Sequence, residues 1–206
     1  MKNRGILIVV SGFSGAGKGT ITREIISRNK NYALSISATT RAPRDGEQEG
    51  VHYFYQTKEE FERMIADNEL LEYAVYQGNY YGTPKAYVLQ QLAEGRDVIL
   101  EIEVQGGDKI KAQVPECVRI FVTPPTAEEL RERLMGRGTE TPEQVLGRMK
   151  RAVEEAPYMP LYDHILINDQ LEKAIEAFER IVQSEHMKQT FIGEITDELI
   201  EIVKGE

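Results

Sequence analysis

The stretch VVSGFSGAGKGT, Val9 to Thr20, constrains this chain more than any other part of it. The run GILIVVS that leads into it is apolar on both faces and bounded by glycines, which suits a central buried strand. From Lys18 to about Asn29 the pattern turns helical. A strand, a glycine loop and a helix in that order can cradle phosphate. Backbone N–H groups point inward, glycines permit the curvature, the helix N-terminus lies behind, and a lysine reaches the outer phosphates. Gly12, Phe13, Ser14, Gly15, Ala16, Gly17, Lys18, Gly19 and Thr20 form that cradle here. The strict pattern asks for a hydroxyl directly after the lysine to hold Mg²⁺. Gly19 has none, and Thr20 stands one place late. A glycine turn without a ligand is the alternative; the buried strand and the lysine weigh against it.

Two further buried-strand candidates, DVILEIE (Asp97 to Glu103) and VRIFV (Val118 to Val122), and a shorter one, HILIN (His164 to Asn168), alternate with helices. That order predicts an α/β fold with a central parallel sheet flanked by helices. Capping chemistry marks helix starts at Thr57 with Glu60, Thr126 with Glu129, and Thr141 with Pro142 and Gln144. Thr83 before Pro84 reads as a fourth start, with Gly95 as its stop. Between the first and fourth helices, SATTRAPRDGEQEGVHYFY and LEYAVYQGNYYGT are rich in Tyr, Gly and short strand-like runs, so a mixed α+β subdomain is inserted over about residues 35–85. A second, helical insertion over about 127–157 carries Arg131, Arg133, Arg137, Arg148 and Arg151. The core is then about 1–34, 86–126 and 158–206, one domain with mobile subdomains. In the tail, Ile195, Leu199 and Val203 fall at helical spacing and predict a packing helix.

Composition narrows the function. Lys plus Arg total 25 against 34 for Asp plus Glu, a formal charge of −9, which disfavours a general nucleic-acid binder. The single Cys117 cannot form an intrachain disulfide, and no Cys/His cluster has zinc spacing. The apolar run Ile6 to Val10 is too short for a signal-peptide core, and no run reaches membrane-spanning length. A cytoplasmic protein without membrane or nucleic-acid partners is expected; protein partners are left open.

The form Gly15-Ala16-Gly17-Lys18-Gly19-Thr20 resembles small nucleotide kinases, which implies phosphoryl transfer between two nucleotides with the metal held largely by phosphates and water, in keeping with the reluctance of Mg²⁺ to lose its hydration shell. An acceptor that is itself a phosphate monoester is mostly ionised at neutral pH and needs no general base. It needs arginines against the repulsion between two anions. TTRAPRDGE supplies Arg41 and Arg44, with Pro43 stiffening the loop, and Tyr53 and Tyr81 can add phenolic donors. An isolated Arg pair would more often be a solvated surface feature. Here Ser37, Thr39 and Thr40 precede it and Glu72, Tyr81 and Thr83 follow.

Taken in order, SGFSGAGKGT, SATTRAPRDGE, EYAVYQGNYYGT, LEIEVQGG and LMGRGTET closely resemble the guanylate kinases over nearly the whole chain. The resemblance implies an ATP:GMP phosphotransferase with a P-loop core, a GMP-binding subdomain and an arginine-bearing lid. It assigns guanine to Ser37, Glu72 and Thr83, the GMP phosphate to Arg41, Arg44, Tyr53 and Tyr81, and the transferring phosphoryl to Lys18, Arg41, Arg137 and Arg148. The residue chemistry agrees. Guanine presents N1–H and N2–H₂ donors side by side, a match for a carboxylate, whereas adenine N1 is an acceptor. Mg²⁺ has no direct protein ligand assigned, Thr20 being the one candidate. Asn168 and Asp169 are implied at adenine, with a helix cap from Asp169 as the other reading. Two positions depart from the family pattern: Glu103 stands where Asp is usual, within reach of guanine or of water-linked Mg²⁺, and Phe13 stands where Pro is common. Three rivals remain open at this point: a kinase for AMP or a pyrimidine monophosphate, a non-catalytic interaction module of the same fold, and a P-loop ATPase.

Overall fold

The computed structural model describes residues 4–76, 78–136 and 141–188. Arg137 and the tail positions Ile195, Leu199 and Val203 lie outside them. The first strand, β1 (Leu7–Gly12), leads through the glycine loop into α1 (Lys18–Arg28), as its pattern predicts. It lies at the middle of a five-stranded sheet with β2 (Tyr32–Leu34), β7 (Asp97–Glu101), β8 (Val118–Thr123) and β9 (His164–Ile167), in the order β2-β7-β1-β8-β9. Every pairing in it is parallel. Side chains on a strand alternate between faces, so β1 serves two helical layers. Ile8 and Val10 pack with Ile21 and Ile25 of α1 and with Phe178 of α7 (Leu171–His186). Leu7 and Val9 pack with Val88 and Leu92 of α3 (Lys85–Ala93) and Ile110 of α4 (Val104–Gln113). Each fully buried aliphatic side chain stabilises this core by about 1.5–3 kcal/mol relative to exposure.

The insertion forms its own four-stranded mixed sheet, ordered β4-β3-β6-β5, from β3 (Ala38–Thr39), β4 (Phe54–Tyr55), β5 (Leu70–Tyr76) and β6 (Asn79–Pro84). The hydroxyls of Thr39 and Thr40 are spent on the Tyr80 backbone across the β3/β6 pairing. α2 (Lys58–Ala66) covers this sheet, with Phe61 stacked on Tyr80 at 5.1 Å. Its start is the capping box expected at Thr57 and Glu60. α5 (Ala127–Met135) and α6 (Pro142–Glu155) also begin at the expected Thr126 and Thr141 caps, and a 3₁₀ turn, Ala156–Leu161, returns the chain to β9.

The expected start at Thr83 is different in kind. Pro84 occupies the N-cap of α3, and the Thr83 hydroxyl donates instead to Glu72 Oε1 at 2.8 Å. The stop at Gly95 is as read, with a positive φ of 86°. Asp169 caps nothing, because Gln170 holds the N-cap of α7 and makes no side-chain cap bond.

Candidate functional site

One cleft of about 1020 Å³ runs between the parallel sheet, the second sheet and α6. Of the residues singled out from sequence, Ser14, Lys18, Ser37, Tyr53, Glu72, Tyr81, Glu103, Arg148 and Arg151 line it. Thr20, by contrast, is exposed and outside that lining, so its hydroxyl is not brought to the cleft.

At one end lies the phosphate loop. Gly12 leaves β1 at φ 145°, where a Cβ would sit 2.1 Å from the Val122 carbonyl oxygen of β8. Gly17 has φ 93°, and a Cβ there would meet the Asn168 amide at 2.4 Å. These two glycines are required by packing as well as by a ligand. Gly17 is also the N-cap of α1 and supplies no side-chain bond, which leaves the helix N-terminus open to an anion. Phe13 anchors the loop edge-on against Phe121, with ring centroids 5.0 Å apart. Asn168 braces it, donating its amide to the Ala16 carbonyl at 2.8 Å.

Lys18 closes over the loop. Its ammonium donates to the Gly12 and Phe13 carbonyls at 2.6 and 3.2 Å. Burial lowers its pKa, and the carboxylates of Glu103, Glu101 and Glu155 oppose that shift. Glu101 also borders Gly19, where an added Cβ would lie 3.5 Å from its carboxylate, and burial raises its own pKa. Sequence reading missed Glu101, although the same LEIE run contained it.

At the other end, Glu72 is buried, at 8 % exposure, rather than an exposed strand residue. Burial raises its pKa, while the Thr83 hydroxyl bond and the nearby Lys109 charge act the other way. Lys109 itself donates to the Tyr73 carbonyl at 2.6 Å and ties α4 to β5. Glu72 Oε2 looks toward Gly106 at the start of α4, where a Cβ would approach it to 3.3 Å. Tyr53 and Tyr81 meet edge-on at 6.0 Å, and the Arg41 guanidinium lies 5.3 Å from the Tyr53 ring centroid. Arg41 and Arg44 are not on the cleft lining itself. Arg41 stands behind Tyr53, paired with Glu47, and the Arg44 side chain is exposed without an ion pair among the described residues.

The helical insertion reaches over both ends. Arg148 of α6 donates to the Ser14 hydroxyl at 2.5 Å. Arg151 bonds Glu103 at 3.1 Å and Glu155 at 3.1 Å and lies 5.8 Å from the Tyr76 ring centroid. Glu103 thus lines the cleft with its carboxylate paired to the insertion. Arg131 pairs with Glu128, and Arg133 with Glu129 and the Asn168 carbonyl, so neither is presented to the cleft.

A family profile described as guanylate kinase matches residues 4–185. A guanylate kinase of Shouchella clausii (strain KSM-K16) is 48 % identical over 203 residues, spanning 98 % of this chain and 99 % of that one. One of Streptococcus agalactiae serotype III (strain NEM316) is 50 % identical over 199 residues, 96 % of this chain and 95 % of that one. Among solved structures, the guanylate kinase of Anaplasma phagocytophilum superposes with a TM-score of 0.74 at 30 % identity, covering 92 % of this chain and 90 % of that one.

Proposed function

The chain belongs to the guanylate kinase family, and from its cleft we infer how its residues carry the γ-phosphoryl of ATP to GMP. It is an ATP:GMP phosphotransferase of purine nucleotide metabolism, yields ADP and GDP, and uses Mg²⁺. The observation that carries the residue assignment is the pairing, in one cleft, of a buried carboxylate, Glu72, with the lysine of a phosphate loop.

ATP docks its phosphates on the loop Gly12 to Thr20 and the open N-terminus of α1. Lys18 gives up its two carbonyl partners and turns to the outer phosphates. GMP enters beside the second sheet: Glu72 accepts from guanine N1–H and N2–H₂, Thr83 holds the other carboxylate oxygen, and Ser37 lines the base. Tyr53, Tyr81, Arg41 and Arg44 take the acceptor phosphate. An oxygen of that phosphate attacks the γ-phosphorus as the bond to the β-phosphate bridging oxygen breaks, and Lys18, Arg41, Arg148 and Arg137 balance the charge. Arg137 enters by its place in the motif, since it lies outside the described residues.

The cleft suits Mg²⁺ held mainly by phosphates and water. Its hard oxygen donors are the carboxylates of Glu101 and Glu103, and Thr20 is set aside because it is exposed. When bound, Mg²⁺ neutralises phosphate charge. The second sheet and the α5–α6 pair support the subdomain limits read from sequence, about 35–85 for GMP and about 127–157 for the lid. Closure of the lid excludes water, so that ATP is not hydrolysed before GMP arrives. No helix among the described residues is long and apolar enough to cross a membrane. The substrates support a cytoplasmic location, and the charge of −9 disfavours nucleic acid as a partner.

The test is ADP production from Mg-ATP with GMP, AMP, CMP, UMP and dTMP in parallel, with a water blank, for wild type and Lys18→Ala. GMP alone should turn over quickly, and Lys18→Ala should be slower by about 10²–10³-fold. Near-normal turnover in the variant would remove the lysine from its role.

A further inference from the structure

The acceptor loop contains a carboxylate with no role in the transfer as described above. Nη2 of Arg41 donates to both carboxylate oxygens of Glu47, each at 2.9 Å, while Nη1 donates to the Ala42 carbonyl at 2.7 Å. Glu47 Oε2 also accepts from the Arg44 backbone N–H at 2.8 Å and from the Tyr55 hydroxyl at 2.9 Å. The Arg41 and Glu47 side chains are only 14 % and 18 % exposed. Three separate donors, from residues 41, 44 and 55, therefore converge on one side chain that no sequence argument singled out.

A guanidinium carries five N–H groups in one rigid plane, so holding two of its nitrogens fixes the direction of the rest. The plane lies over Tyr53, and Tyr53 and Tyr81 both line the cleft. Glu47 does not line it, and the Arg44 N–H and Tyr55 hydroxyl retain Glu47 whatever Arg41 does. A carboxylate merely standing in for the absent phosphate would lie in the cleft and be released by it.

We propose that Glu47 is a positioning residue for the acceptor phosphate: it aims the Arg41 guanidinium so that the N–H groups it does not occupy face the phosphate on the Tyr53 and Tyr81 side. This rests on Arg41 being a ligand of that phosphate.

Calorimetric titration of the full-length protein with GMP tests it. Glu47→Gln should weaken GMP binding about tenfold through the misdirected guanidinium, with ATP binding unchanged. Added to Arg41→Ala, the same change should cost less than about twofold more, because the interaction it disturbs is already gone. Tyr55→Phe removes only the hydroxyl that steadies Glu47 and should weaken GMP about two- to threefold. If Arg41→Ala itself leaves GMP affinity intact, the assignment of Arg41 fails and the proposal with it. If Arg41→Ala weakens GMP but Glu47→Gln leaves binding unchanged or tighter, or costs the same in both backgrounds, the positioning role alone is overturned. An unfolded Glu47→Gln leaves Tyr55→Phe to decide, and unchanged GMP affinity there overturns the role.

Discussion

In the proposed role of Glu72, a single side chain chooses between purines. It is buried, one oxygen is satisfied by Thr83, and the other is turned to the space in front of Gly106. An amide at this position keeps the shape but offers one acceptor and adds a donor. Hydrogen bonds to a charged partner contribute about 1.5–3 kcal/mol, so Glu72→Gln should reduce the GMP-to-AMP ratio of kcat/KM by about 10–100-fold. The parallel assay measures this directly, and an unchanged ratio would move base selection elsewhere. Glu72 and Thr83 were both singled out in the sequence because one motif contains them. Glu101 and Glu47 were not. Each stands inside a run read for another residue, and the fold alone reveals that Glu101 borders Gly19 and that Glu47 faces Arg41.

At the scale of elements, local chemistry was readable and shared chemistry was not. Thr57, Thr126 and Thr141 start helices as their spacing predicts, since a cap depends only on residues three places away. Thr83 fails as a cap because its hydroxyl is claimed by Glu72, eleven positions distant in sequence and one strand away in space. Arg151 is the same kind of case. From α6 it bonds Glu103 at the head of α4 and its own helix's Glu155, and lies near the Tyr76 ring of β5. One guanidinium thereby joins the lid, the core and the acceptor subdomain. Arg151→Met keeps the apolar stem and removes these links, so the closed arrangement should be less populated. Turnover with GMP should fall about three- to tenfold, while ATP hydrolysis in the GMP-free blank rises relative to it. A blank that stays in proportion would show that closure does not depend on this arginine.

The whole molecule sets two groups of carboxylates against each other. Burial raises the pKa of Glu72 and Glu101 in the cleft and of Glu155 at the end of α6. Hydrogen bonds lower Glu60 and Glu172 near the surface, and the Arg44 N–H leads several contacts that bring the half-buried Glu47 down to about 2. A raised carboxyl binds its proton more tightly folded than unfolded, so the ligand-free fold gains stability as pH falls through that raised value toward the ordinary 4.5. A lowered carboxylate does the reverse. Its contribution is complete above 4.5 and is lost as pH falls further, toward about 2 for Glu47. On the proposed role of Glu72, GMP opposes the first trend, because only an ionised carboxylate accepts from both guanine donors. Mild acidification should therefore favour the empty fold while shrinking the rise in Tm that GMP produces. The phosphate of GMP also takes up a proton near pH 6, which weakens binding independently. Glu72→Gln separates the two effects, since it retains the phosphate's titration and lacks the carboxyl. Melting curves with and without saturating GMP, from neutrality to pH 4.5, should show the GMP-induced shift declining more steeply in wild type than in the variant. Parallel declines would assign the whole pH dependence to the phosphate and leave Glu72 ionised throughout.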